Sequence, residues 1–235
     1  MTRFILLFFL CINIHASKAQ DLSVSEEILN ELETVILYSE VDTFTFRVAF
    51  PKNYDPKKEY KCFLGLSGGN QSLKIVNYCY AAWFRSGYFV DYITVLPVVT
   101  DTLNFRDYSN EKIEGLLKII NKNYRVNPKW LIAGTSNGGV AAFNFVAAFP
   151  EKFEGIIVAP GKISDAIQPT EKWSHLKVIL ACGDKDDPKW IKATKKSAKK
   201  IKKIVRSVKL VPLKGQGHIL PIKFNADKMY DPYFL

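Results

Sequence analysis

The 235-residue chain holds only three histidines and four cysteines, and neither type clusters at the spacing of metal ligands. That leaves a zinc or other metal site without candidates, and no organic cofactor is implied either. No apolar run reaches the ~20 residues that a membrane span requires. There is no internal repeat, no low-complexity segment, no linker dividing the chain, and no motif of a nucleic-acid-binding protein. Acidic residues are missing from Lys189 to Lys209, which carries ten Lys or Arg. Ile191, Ala198, Ile201, Val205 and Val208 recur there at helical spacing, so the stretch reads as an amphipathic basic helix with a solvated outer face. Its charge allows weak contact with an anionic surface.

What is present starts with a leader. MTRFILLFFLCINIHASKAQ has a basic Arg3, an apolar run from Phe4 to Ile14, and small residues around Ala19. This is the pattern of a secretory signal peptide over residues 1–19, with cleavage near Ala19/Gln20 and a single mature domain over 20–235. The product is expected to be secreted or periplasmic. Lipid attachment at Cys11 fits poorly, because bulky Leu10 precedes it. Losing Arg3 and Lys18 leaves 31 basic residues against 23 acidic ones, a formal charge of +8. Cys62, Cys79 and Cys182 remain, which permits at most one internal bridge and excludes a disulfide scaffold. At 48% hydrophobic and 24% charged residues, the chain suits one globular domain with a sizeable core.

Strand-like and helix-like stretches alternate from residue 43 onward. TFTFRVAF (43–50), YKCFLGL (60–66), YITVLPVV (92–99), WLIAG (130–134), GIIVAP (155–160), LKVILAC (176–182) and VKLVPL (208–213) read as strands. Helices are expected over 72–86, 110–123 and 138–149, besides the basic one, while Asp21 to Glu40 reads only as a polar amphipathic start. The order implies an α/β fold, a mostly parallel sheet with helices on both faces. In such sheets, ligands bind outside the carboxyl ends of the strands.

The stretch LIAGTSNGGV (131–140) places Ser136 at such an end, directly before a helix, with Gly134 and Gly138 two positions to either side. This is the strand-turn-helix setting of a nucleophile elbow, where larger side chains would collide as the helix folds back. A serine hydroxyl needs a base, and the elbow's chain order is Ser, then Asp or Glu, then His. His175 precedes its strand and lies at the wrong edge, whereas His218 follows VKLVPL in a loop with Gly215 and Gly217. The acid should follow LKVILAC, where GDKDDP offers Asp184, Asp186 and Asp187. Asp187 before Pro188 reads as a helix N-cap. Asp184 and Asp186 stay open on residue chemistry alone. One oxyanion donor should be the backbone N–H of Asn137, the other an N–H from the loop LSGGNQS (66–72).

With these parts in order, the chain resembles an α/β-hydrolase, and in particular the small secreted esterases similar to polyhydroxybutyrate depolymerases, feruloyl esterases and esterase-D-like enzymes. FPKNYDPKKEYKCFLGLSGG, YRVNPKWLIAGTSNGGVAAFNFVAAFPEKFEGIIVAPG, CGDKD and GQGH carry the resemblance, from Phe50 to His218. The family pattern of Gly, two residues, then the acid implies Asp186. The family's oxyanion strand end maps onto Ser67, Gly68 and Gly69, implying the Gly69 N–H, although Ser67 stands where such enzymes usually have His. The cysteine pattern of the depolymerases is missing, so their polymer substrate is not implied.

The resulting expectation is a secreted serine hydrolase cleaving carboxylic esters, short acyl or polysaccharide-linked, through Ser136, His218 and Asp186. Only about fifteen residues (161–175) separate two strands where hydrolases of this kind often insert a cap, so the cap is minimal and the site open, with Trp173 either at its entrance or in the core. A peptidase or thioesterase with the same triad, or a non-catalytic binding protein on this scaffold, are the alternatives.

Overall fold

In the computed structural model, residues 21–40, 42–100 and 103–230 are described; the signal peptide expected over 1–19 lies outside them. Eight strands form one sheet among the described residues: β1 (Glu33–Tyr38), β2 (Thr43–Ala49), β3 (Lys61–Leu66), β4 (Tyr92–Val98), β5 (Trp130–Gly134), β6 (Phe153–Val158), β7 (Lys177–Gly183) and β8 (Ser207–Leu213). Their order is β1-β2-β4-β3-β5-β6-β7-β8. Pairs β1/β2 and β2/β4 are antiparallel and all others parallel. The carboxyl ends of β3, β5, β6, β7 and β8 therefore share one rim.

Period-two alternation divides the core between the sheet's two faces. Trp130, Ile132, Val178 and Leu180 face a layer built with α3 (Asn110–Asn123), α4 (Asn137–Ala148) and α5 (Pro188–Ile201). Leu131, Ala133, Ile179 and Ala181 face the other layer, with α2 (Leu73–Cys79) and the π-helical turn Tyr80–Phe84 that continues it. Burial on both faces explains why the central strands read as unbroken apolar runs. A one-turn helix, α1 (Glu26–Leu29), precedes β1.

Two sequence expectations need correcting, and one alternative left open is decided. The polar start contains a strand, β1, which sits at the sheet edge with Ile36 and Tyr38 exposed, so its apolar side chains do not segregate as those of a buried strand would. The basic helix does not run from Lys189 to Lys209; α5 ends at Ile201, and a turn leads into β8 from Ser207. Apolar positions there satisfied helical spacing, but pairing with β7 from Lys177 to Gly183 claims residues 207–213 for the sheet. Trp173 is buried and stacks on Phe143, with ring centroids 6.4 Å apart and planes 3° from parallel, which assigns it to the core and not to an entrance. The connection from β6 to β7 that contains it, residues 159–176, has one 3₁₀ turn at Glu171–Trp173 and no cap.

Candidate active site

Ser136 joins β5 to α4 at φ 53° and ψ −116°, a backbone state that L-residues rarely adopt. Such strain costs on the order of 1–3 kcal/mol and persists only where the surroundings enforce it. Here they do. The N–H of Ser136 donates to Pro160 O at 2.7 Å and that of Thr135 to Leu66 O at 3.2 Å, so both neighbouring strands grip the turn. A side chain at Gly134 would run into the Gly138 carbonyl, and one at Gly138 into the Leu66 carbonyl.

His218, in the loop after β8, brings Nε2 to 3.0 Å from Ser136 Oγ. Its Nδ1 lies 3.0 and 3.2 Å from the two oxygens of Asp186. The Asp186 side chain is fully buried and also accepts the Asp187 N–H at 2.7 Å. The Cys182 thiol donates to the other carboxylate oxygen at 3.5 Å; burial first, then the Asp186 charge, pushes this thiol up to about 12, so it remains a donor at neutral pH. Asp184 is turned elsewhere: its carboxylate accepts the Gly215 N–H at 2.7 Å, tying the two rim loops together. Asp187 caps α5 by accepting from Lys189 N at 2.8 Å, with Pro188 at the first helical position. His175 bonds Phe153 O at the start of β7, away from the rim.

Gly69 follows β3 with φ +57°, a conformation glycine adopts without penalty. Its carbonyl accepts from the Asn137 side-chain amide at 2.9 Å and from Asn104 at 3.3 Å, and Asn137 Oδ1 accepts from Arg106 Nη1 at 3.0 Å. Asn137 also opens α4, where the first backbone N–H groups have no intrahelical partner. Ser67, in the position usually held by His, is buried and its hydroxyl is unpartnered. The loop is braced instead by buried Gln71, whose amide donates to Ser67 O at 3.0 Å and accepts from Phe105 N at 2.9 Å.

Ser136, His218, Gly68 and Gly69 open onto a cavity of about 210 Å³, otherwise mainly apolar, with Ile75, Tyr78, Trp83 and Leu220 among its walls. Five residues at or around this site carried no sequence signal. Leu22 lines the cavity, Cys182 backs Asp186, Arg106 and Asn104 brace Asn137 and Gly69, and the Trp190 ring lies 5.2 Å from that of His218. None belongs to the elbow motif. Each reaches the site through tertiary contacts and not through local sequence.

Residues 42–209 match the Esterase family model. No curated protein matches the sequence. Among solved structures, a thermostable esterase superposes with a TM-score of 0.65 at 18% identity; the alignment covers 80% of this chain and 56% of that one, so this chain spans little more than half its length. A ferulic acid esterase gives 0.58 at 16% identity over 80% and 90% of the two chains. A Staphylococcus aureus fluorophosphonate-binding serine hydrolase gives 0.61 at 14% over 80% and 91%. At such identities these likenesses establish the α/β-hydrolase fold. The family match, which spans well over half of the chain, adds the class of reaction: this protein belongs to the Esterase family, hydrolases acting on esters.

Proposed function

We propose that the protein is an exported serine esterase that works through an acyl-enzyme on Ser136. The observation carrying this reading is the unbroken relay from Ser136 Oγ through the His218 imidazole to buried Asp186, with both links at 3.0 Å. His218 Nε2 takes the hydroxyl proton as Ser136 attacks the ester carbonyl, and Asp186 holds the tautomer with hydrogen on Nδ1 and balances the imidazolium that forms. The backbone N–H groups of Gly69 and Asn137 receive the developing oxyanion. Donors of this kind are worth about 3–4 kcal/mol each because they are oriented before the charge appears. The imidazolium then gives its proton to the leaving alcohol. Water, activated by the same imidazole, releases the acid and frees Ser136.

The cavity favours acyl groups of modest size. At about 210 Å³ it is somewhat larger than the ~150 Å³ apolar cavities that hold benzene. Short aliphatic chains or a single aromatic ring fit, the second being the acyl class named for the ferulic acid esterase neighbour. Among the described residues no cap lies over the alcohol side, compatible with a bulky or polymeric alcohol.

The test uses the exported protein, whose N-terminal sequence is expected to start at Gln20, against acetyl, butyryl, cinnamoyl and palmitoyl esters and matched amides. Short and single-ring esters are expected to turn over fastest, with amides slower by orders of magnitude. Dominance of palmitoyl esters, or of amides, would overturn the reading.

A further inference from the structure

The cavity beside Ser136 has one wall that comes from the stretch of chain ahead of α1, apart from the loops at the strand ends. Leu22 supplies it. Along that stretch Asp21 and Ser23 are exposed, while Leu22 and Val24 are half-buried against the core layer containing Tyr78, Trp83 and Leu220. The Asp21 carboxylate accepts from the Ser23 N–H at 2.9 Å and from its hydroxyl at 3.0 Å, which ties the two residues together. Those bonds, helped by Lys74 on α2, hold the Asp21 carboxyl below the usual carboxylate range. Among the described residues, no backbone hydrogen bond joins residues 21–24 to the body of the domain. The segment is therefore seated by its two apolar side chains.

We infer that Leu22 sets the size limit of the acyl group, the segment 21–24 acting as an added wall of the acyl pocket; this rests on the esterase reading of the site. Two features make this the acyl side. The cavity is bounded by Ser136 together with Gly68 and Gly69, so a carbonyl held with its oxygen toward that loop directs its acyl chain along the apolar walls. The one phenol there is spoken for, since Tyr78 donates its hydroxyl to Leu220 O at 3.0 Å and offers the cavity its ring. A leaving alcohol departs past His218 toward the uncapped rim. Shortening Leu22 thus lengthens the acyl pocket and enlarging it fills the pocket, without altering the relay itself.

The experiment measures kcat/KM for p-nitrophenyl octanoate and butyrate in wild type, Leu22→Ala and Leu22→Trp, and for a set of butyrate esters differing only in the alcohol. A ratio of two substrates on one preparation does not depend on how much of it is folded. The octanoate-to-butyrate ratio is expected to rise about tenfold in Leu22→Ala and to fall about tenfold in Leu22→Trp, the scale on which one to a few methylenes are discriminated in an apolar pocket. The alcohol series is expected to keep its ranking. Acyl ratios within twofold of wild type in both variants overturn the inference, as does a response confined to the alcohol series. A wild type that hydrolyses none of these esters and takes no fluorophosphonate overturns the esterase reading and this inference with it.

Discussion

Asp184 and Asp186 stand two residues apart in one loop and carry the same group, yet their surroundings give them different work. Asp184 is exposed and holds the Gly215 N–H; Asp186 is buried against His218 and Cys182. An asparagine at 184 keeps an oxygen for Gly215, so Asp184→Asn is expected to leave kcat within about threefold, the change being confined to one exposed neutral hydrogen bond worth roughly 1 kcal/mol. Asp186→Asn turns an amide toward Nδ1 and selects the wrong tautomer, so kcat is expected to fall on the order of 10³–10⁴-fold. Steady-state kinetics of the two variants check this, and the reverse order would assign the acid to Asp184. Residue chemistry alone left the two open and only the family pattern implied Asp186, because what separates them is which carboxylate the loop after β8 meets, Gly215 taking Asp184 and His218 taking Asp186. The strand-to-helix turn at Ser136 was legible for the opposite reason. Its requirements, two glycines around the serine, all lie within five residues.

Elements with signals at both ends were read to the residue. Helix α3 spans Asn110–Asn123 as expected, begun by Ser109, whose hydroxyl accepts from Lys112 N at 3.2 Å, and β5 spans Trp130–Gly134. Edge strand β1 and the end of α5 were not, since an edge strand lacks a fully buried face and apolar spacing alone does not tell a helix end from the strand that follows. The loops at the carboxyl ends of β3 and β4 show how elements act on the site together: Asn137, at the start of α4, grips the Gly69 carbonyl and is itself gripped by Arg106. Asn137→Ala keeps the backbone N–H and removes both grips, letting the Gly69 loop drift. We expect kcat to drop about tenfold with KM changed less than threefold, because an oxyanion donor acts in the transition state. Asn137→Asp, which presents a second acceptor to Gly69 O, should cost more. A rise in KM at constant kcat would instead make the Asn137 side chain a substrate-binding group.

At the scale of the whole molecule, the sheet gathers residues from distant parts of the chain onto one rim, and the place of Ser136, Asp186 and His218 after the carboxyl ends of strands already pointed to that rim. The cavity was not legible. Its walls come from Leu22, α2, the π-helical turn and the loop after β8, and no motif announces that these meet. The same holds for the three cysteines among the described residues, each buried and free, in positions set by the core and not by spacing. The central claim, that Ser136 is made nucleophilic by His218, is tested most directly by treating folded protein with a fluorophosphonate and mapping the adduct by peptide mass spectrometry. One phosphonyl group on Ser136 is expected, absent in Ser136→Ala and formed at least a hundredfold more slowly in His218→Ala. A folded wild type that takes no label, or takes it on another residue, or an adduct rate untouched by removal of the imidazole, would contradict the account.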